Sequence, residues 1–287
     1  MMTVSKKPMP RQLAPGVFWL GDCLEQQANG KIYHTYNAAF LLIGETASML
    51  IETGHPKDFP LINAQMESLL AGKAPLKYLF VTHQETPHSG GLGRVLHRYP
   101  EAVVCGDICD YHLAFPQYAH RLREMRGGDR VDLGGRTFEL VEPVIRDLRT
   151  TWWGFDHQAR VLFPGDGFAY SHYHEDGHCG HFAEEAISLN IPEVSAVFAD
   201  RALFWTKFTD MNIYVERLQW LLDRLDVRVI APTHGLPILD PRRTVPKIKE
   251  GLLYGSAVPE SGTENGLAAA AAAKAAAAEA LPKTAPG

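Results

Sequence analysis

Long apolar runs, basic clusters and cysteine are all scarce in this chain, and each scarcity excludes something. No stretch has the ~20 consecutive apolar residues that a bilayer span needs. Met1 to Arg11 carries charge but no apolar core, so no secretory signal is expected and a cytoplasmic location is. The 28 basic and 33 acidic residues give a net charge of −5 with no long basic run, which argues against a nucleic-acid partner. Cys23, Cys105, Cys109 and Cys179 are too few for a disulfide framework and fit a reduced compartment. Cys105 and Cys109 have three residues between them, not the two common in zinc pairs, and read as small buried apolar residues. What is abundant is core material. Hydrophobic residues make up 46% of 287 positions and charged residues 21%, as in a globular protein with a sizeable interior.

Short β-type runs at Val17–Leu20, Ala38–Ile43 and Ser48–Glu52, separated by turns, predict an antiparallel meander. Leu61, Ile62, Met66, Leu69 and Leu70 recur at helical spacing and predict a helix over 59–70. A strand ending at Val81, a helix from Leu92 to Tyr99 and a strand at Ala102–Cys105 follow. The second half repeats the alternation, with strands at 137–141, 160–163 and 227–231 and a helix over 215–225. Alternating strands and helices predict a layered α/β domain, here residues 1–261. Residues 262–287 are almost pure alanine at their centre, with no apolar face beyond methyl groups, and read as a separate low-complexity tail.

The chemistry concentrates in Thr82-His83-Gln84-Glu85-Thr86-Pro87-His88, directly after the strand ending at Val81. Two imidazoles and a carboxylate leave the end of one strand together. Imidazole suits iron, zinc and copper, and the carboxylate adds hard-oxygen character that favours iron or manganese over zinc. Asp166 in Pro164-Gly165-Asp166 and His234 in Pro232-Thr233-His234-Gly235 also follow strands, so one edge of the domain can gather them. Ser171 to His181 holds four histidines, His172, His174, His178 and His181, just after Asp166.

These motifs, with Tyr36–Ile43 and the Leu50-Ile51-Glu52-Thr53-Gly54 turn, resemble the metallo-β-lactamase superfamily over residues 10–240. Glu85 in place of a second histidine resembles its flavodiiron (oxygen-binding di-iron) branch, here without a flavodoxin domain. The resemblance implies two β-sheets packed face to face between helices, an αββα sandwich. It also implies a two-metal site with seven protein ligands. His83 and Glu85 would bind the first metal, His88 and His234 the second, and Asp166 would bridge both.

Two positions depart from the family pattern. Pro87 stands where the family has an aspartate ligand, and proline has no ligand atom. Where the family has a third ligand to the first metal, this chain has Val144-Ile145-Arg146-Asp147-Leu148, with eighteen residues between Asp147 and Asp166. Asp147 would restore three carboxylates, since an under-neutralised pair of divalent ions in a dry pocket is costly; the alternative is an ion pair of Asp147 with Arg146 or Arg149, which would leave a single-iron site or a tightly bound hydroxide. His172 or His174 would replace a missing ligand or deliver a proton from a lid over the site, with His178 and His181 in its solvated part. Gly90 and Gly91 read as permitting close packing at a helix start. The aromatic residues between Trp152 and Phe208 read mostly as core, some walling an apolar pocket.

Three functions follow as expectations. The first is a non-haem iron oxidoreductase, di-iron by resemblance, that binds O2 or NO and either reduces it or oxidises a small organic substrate. With no room for a flavodoxin domain, its electrons would come from a separate donor protein or the substrate. The second is a metal-dependent hydrolase of the lactonase or thioesterase kind, with zinc as the alternative metal. The third is a non-catalytic metal-binding sensor. A homo-oligomer is expected.

Overall fold

A computed structural model describes residues 7–28, 30–174 and 177–255; the alanine-rich segment 262–287 lies outside them. The chain opens with strands β1 (Arg11–Ala14) and β2 (Val17–Leu20), then a hairpin of β3 (Cys23–Ala28) and β4 (Lys31–Tyr36). Next come β5 (Ala39–Ile43), β6 (Ser48–Ile51), helix α1 (Phe59–Leu70) and β7 (Leu76–Phe80). The short helix α2 (Thr86–Ser89), α3 (Leu92–Arg98), β8 (Val103–Gly106), α4 (Tyr111–Ala114) and β9 (Leu122–Glu124) complete the first half. The second half runs β10 (Arg130–Asp132), β11 (Thr137–Val141), β12 (Trp153–Asp156), β13 (Val161–Phe163), α5 (Ile191–Ala202), α6 (Met211–Leu225), β14 (Val229–Ile230) and α7 (Pro241–Gly255).

One sheet has the order β1-β2-β5-β6-β7-β8-β9, antiparallel as far as β6 and parallel beyond it. The second has the order β10-β11-β12-β13-β14, with only β13–β14 parallel. Period-2 side-chain alternation divides the inner strands of the first sheet between two cores. In β5, Phe40 and Leu42 join the cluster between the sheets, while Ala39 and Leu41 join the cluster under α1 and α3. Phe80 of one sheet meets Phe138 of the other at 5.1 Å between ring centres. Burying an aromatic of this size contributes about 1.5–3 kcal/mol relative to exposure. Helices α5, α6 and α7 place Val194, Leu218 and Ile248 in the inter-sheet cluster's far extension. The layers are helix, sheet, sheet, helix: the expected αββα sandwich.

Several expectations need correcting. The meander is interrupted by the β3–β4 hairpin, which forms its own two-stranded sheet. Cys105 is buried as expected, but Cys109 is exposed because its loop leaves the sheet after β8. Phe204 and Phe208 are exposed, at 62% and 81%, on a short 3-10 turn beyond α5. His178 and His181 are buried, not solvated. Gly91 fits its reading: a Cβ there would lie 2.5 Å from the Thr53 carbonyl. Among the described residues, no helix is long and apolar enough to cross a membrane.

Candidate metal centre

The parallel strands β6, β7, β13 and β14 deliver their carboxyl ends to one edge of the sandwich. Glu52 follows β6, His83 follows β7, Asp166 follows β13 and His234 follows β14. Backbone bonds tie these loops together: Thr233 N–H donates to the Gly165 carbonyl (3.1 Å), Ala38 N–H to Thr233 (3.0 Å), and Trp152 N–H to Thr82 (2.8 Å). Glu85 is the N-cap of α2, but its side chain does not cap, which leaves the carboxylate available. Pro87 occupies the first turn of α2, where a missing N–H costs nothing.

All six expected ligand positions converge. Within 4.8 Å of one another stand ligand atoms of His83, Glu85 and His88; of His83, Asp147 and Asp166; and of His88, Asp166 and His234. Asp166 divides the set. Its Oδ1 lies 3.4 Å from His88 Nε2 and 3.8 Å from His234 Nε2, while its Oδ2 lies 3.8 Å from His83 Nε2. Asp147 Oδ2 lies 3.6 Å from His83 Nε2. Asp147 is not drawn off by its arginine neighbours, since Arg146 pairs with Glu142. Ligands bound to one ion at about 2.0–2.2 Å and 90–110° stand about 2.9–3.5 Å apart, so these separations approach a coordination shell.

The three imidazoles are oriented alike. His234 Nδ1 donates to the Tyr36 carbonyl (2.6 Å), which turns Nε2 toward Asp166. His88 Nδ1 stands 3.1 Å from Glu52 Oε1, and His83 Nδ1 stands 3.2 Å from Thr82 Oγ1. Holding Nδ1 in this way fixes the tautomer and points Nε2 at a common metal. His83 Nε2, His88 Nε2 and Asp166 Oδ1 are buried and have no hydrogen-bond partner. Orphaned polar atoms of this kind are costly in an interior unless a cation meets them.

Protonation tells the same story. Burial pushes the imidazoles down, His83 to about 4, His88 to about 3 and His234 to about 4, so each is neutral and offers a lone pair at pH 7. Burial, then the Asp166 and Glu85 carboxylates, pushes Asp147 up to about 7. Burial raises Asp166 as well, against the pull of His88 and His83. A pocket that destabilises both its imidazolium and its carboxylate forms lacks positive charge that does not come from protons. Residues of this kind fit a pair of divalent cations.

Glu52 ties these loops together beneath the imidazoles. It is fully buried and accepts from Thr82 N–H (3.2 Å), the Thr82 hydroxyl and the Thr233 hydroxyl (3.1 Å), besides facing His88. It adopts φ +59, a left-handed conformation that costs a non-glycine residue about 1–3 kcal/mol. Its signal in the sequence is the Glu52-Thr53-Gly54 turn itself. His172 and His174 go elsewhere: His172 forms a β-bridge with His34, and both rings lie beside Cys23, His34 or Cys179. The segment therefore does not bring these two histidines to the Asp166 cluster, because pairing with β4 fixes its path.

The model of the ODP family beta lactamase matches residues 36–235. The chain belongs to this family. It is similar to the coenzyme F420H2 oxidase of Methanothermobacter marburgensis, 26% identical over 260 residues that cover 83% of this chain and 60% of the oxidase. It is also similar to the nitric oxide reductase of Moorella thermoacetica, 21% identical over 79% of this chain and 57% of that protein. The crystal structure of the flavodiiron protein from Giardia intestinalis superposes with a TM-score of 0.65 at 16% identity, covering 88% of this chain and 61% of that one. The ODP-family chain thus spans about three fifths of the length of these relatives, and the structural match concerns the fold.

The raised pKa of Asp147 has a testable consequence. Metal needs its ionised form, so below about pH 7 the ion that Asp147 binds must displace one proton. Iron affinity is expected to be flat above pH 7 and to fall up to about tenfold per pH unit below it for this one group. Asp147→Asn keeps the shape, should weaken iron binding, and should remove one proton from the slope. Competition titrations with a coloured chelator between pH 5.5 and 8.5 measure both. An unchanged slope and affinity would exclude Asp147 from the ligand set.

Proposed function

We propose that the chain holds a non-haem di-iron centre among His83, Glu85, Asp147, Asp166, His88 and His234. It is then an oxidoreductase that binds O2 or NO, and either reduces it or uses it to oxidise a small organic substrate. The observation that carries this reading is Asp166, one oxygen turned to His83 and the other to His88 and His234. Three carboxylates beside three imidazoles favour iron over zinc. The names of the oxidase and the nitric oxide reductase support the same class of reaction.

Bound iron would supply the one-electron chemistry toward O2 or NO that side chains lack. The chain's own residues do the rest. Neutral His83, His88 and His234 hold their lone pairs ready, and the Thr82 hydroxyl, Glu52 and the Tyr36 carbonyl keep those rings from turning. Glu85 and Asp147 are the least buried members and form the side from which a small molecule enters. Pro87 has no ligand atom, so the His88–His234 side would offer an ion one donor fewer. Electrons come from a separate donor protein or from the substrate, and the reaction takes place in the cytoplasm.

Elemental analysis of anaerobically purified protein, followed by O2 or NO consumption under a chemical reductant, tests this. Two irons per chain and reductant-dependent consumption of either gas are expected. Two zincs at the site with turnover of lactones or thioesters would make the protein a hydrolase. A single weak ion without turnover would make it a sensor.

A further inference from the structure

A second cluster of ligand atoms lies on the hairpin side of the sandwich. Cys23 stands in β3 and His34 in β4; Glu25 pairs with His34, so Cys23 and His34 are diagonal neighbours on one face. The β-bridge from His34 to His172, with N–H···O distances of 2.8 and 2.7 Å, brings in the histidine-rich segment, and its next turn brings in Cys179. Cys23 Sγ and Cys179 Sγ are 3.3 Å apart; His34 Nδ1 lies 3.5 Å from the first and 3.8 Å from the second. All four residues offer ligand atoms within 4.8 Å of one another. His172 is fully buried beside the Cys23 thiol.

We propose that Cys23, His34, His172 and Cys179 bind one zinc ion in a tetrahedral site of two thiolates and two imidazoles, separate from the Asp166 centre. Zinc bonds of about 2.3 Å to sulfur and 2.0–2.1 Å to nitrogen make tetrahedral S···N edges of about 3.5 Å and an S···S edge of about 3.8 Å. The two His34 S···N separations lie close to that edge, and the S···S separation of 3.3 Å, shorter than the tetrahedral edge, is still well beyond the ~2.05 Å of a disulfide. Two thiolates neutralise the dication, and sulfur ligands select zinc over the harder ions suited to carboxylates. Binding converts two thiols to thiolates, so Zn2+ enters and two protons leave, with no change of oxidation state.

The ion has a structural role. It fastens the hairpin to the histidine-rich segment around Tyr36, whose ring stacks on His172 at 5.5 Å and whose hydroxyl accepts from Gly180 N–H (2.7 Å). The same tyrosine's carbonyl holds His234. His174, with Nδ1 3.2 Å from Cys179 Sγ and its ring stacked on His34 at 4.2 Å, supports the ligands from outside. Zinc here thus fixes the backbone that orients a ligand of the other centre.

Zinc content of the full chain, purified with zinc and reductant present, reads the proposal. One zinc per chain beyond the ions of the Asp166 site is expected. That zinc should be lost in Cys23→Ser and Cys179→Ser and retained in Asp166→Ala, so failure of the iron reading would leave this result distinguishable. Cobalt substitution of the unaltered protein should give thiolate-to-cobalt charge-transfer bands and tetrahedral visible absorption, which needs no variant to fold. No additional ion in wild type, no thiolate–cobalt bands, or a mass two hydrogens lighter from a Cys23–Cys179 disulfide under reductant would each overturn it.

Discussion

Asp166→Ala is expected to lose both metal ions while remaining folded. Loss of a residue that merely orients a ligand costs about 10–100-fold in metal affinity. Asp166 faces ligands on both sides of the pocket, so its removal should cost more than about 100-fold, and turnover should vanish with the metals. The metal-free fold should not suffer. Burial holds the carboxyl of Asp166 above its ordinary range, so in metal-free protein near pH 8 its ionised form opposes folding. Metal-free variant and metal-free wild type should therefore melt within a few degrees of each other. Retention of two tightly held irons would remove Asp166 from the bridge, and a collapse of the metal-free fold would give it a structural role instead.

Glu52→Ala should do the reverse and damage the fold first. The substitution leaves the Thr82 N–H, the Thr82 and Thr233 hydroxyls and His88 Nδ1 facing a buried void. Each unsatisfied buried group costs about 1–3 kcal/mol. Relief from burying a carboxyl offsets part of this, since burial raises Glu52 while His83 and the Thr82 hydrogen bonds lower it. A net loss of about 3 kcal/mol is expected, which for a domain of this size lowers the melting temperature by roughly 6–12 °C. Glu52→Gln, which keeps one acceptor oxygen, should fall between wild type and alanine. Metal affinity should drop with the freedom His88 gains. Melting curves on metal-free protein decide the matter, and an unchanged melting temperature in Glu52→Ala would show that this network does not hold the loops.

Much of the sandwich is legible in the chain because its central strands, buried on both faces, read as short continuous apolar runs bounded by turns. Phe40 and Leu42 face one core, Ala39 and Leu41 the other, and helix α1 occupies the predicted span. Elements at the periphery are less legible. β3 and β4 are largely polar, buried only toward Tyr33, Thr35 and Tyr36, and α7 carries Pro246 inside the helix. The convergence of His83, Glu85, His88, Asp166 and His234 is readable because each follows a strand, and parallel strands end at one edge. The role of Glu52 is not, since an acidic residue in a turn gives no sign that Thr82, Thr233 and His88 will surround it. Cys23 and Cys179 lie 156 positions apart, a pairing that no local spacing rule detects. The histidine-rich segment shows the limit of composition. Its histidines suggest a lid, but a β-bridge to His34 fixes where two of them go.

Anomalous diffraction at the iron and zinc edges from crystals of anaerobically purified protein tests the central claim most directly. Two iron peaks about 3.5–4 Å apart are expected. One should lie among His83, Glu85 and Asp147 and the other beside His88 and His234, with Asp166 bonded to both. A single peak, zinc at both positions, or two irons without Asp166 between them would contradict the account.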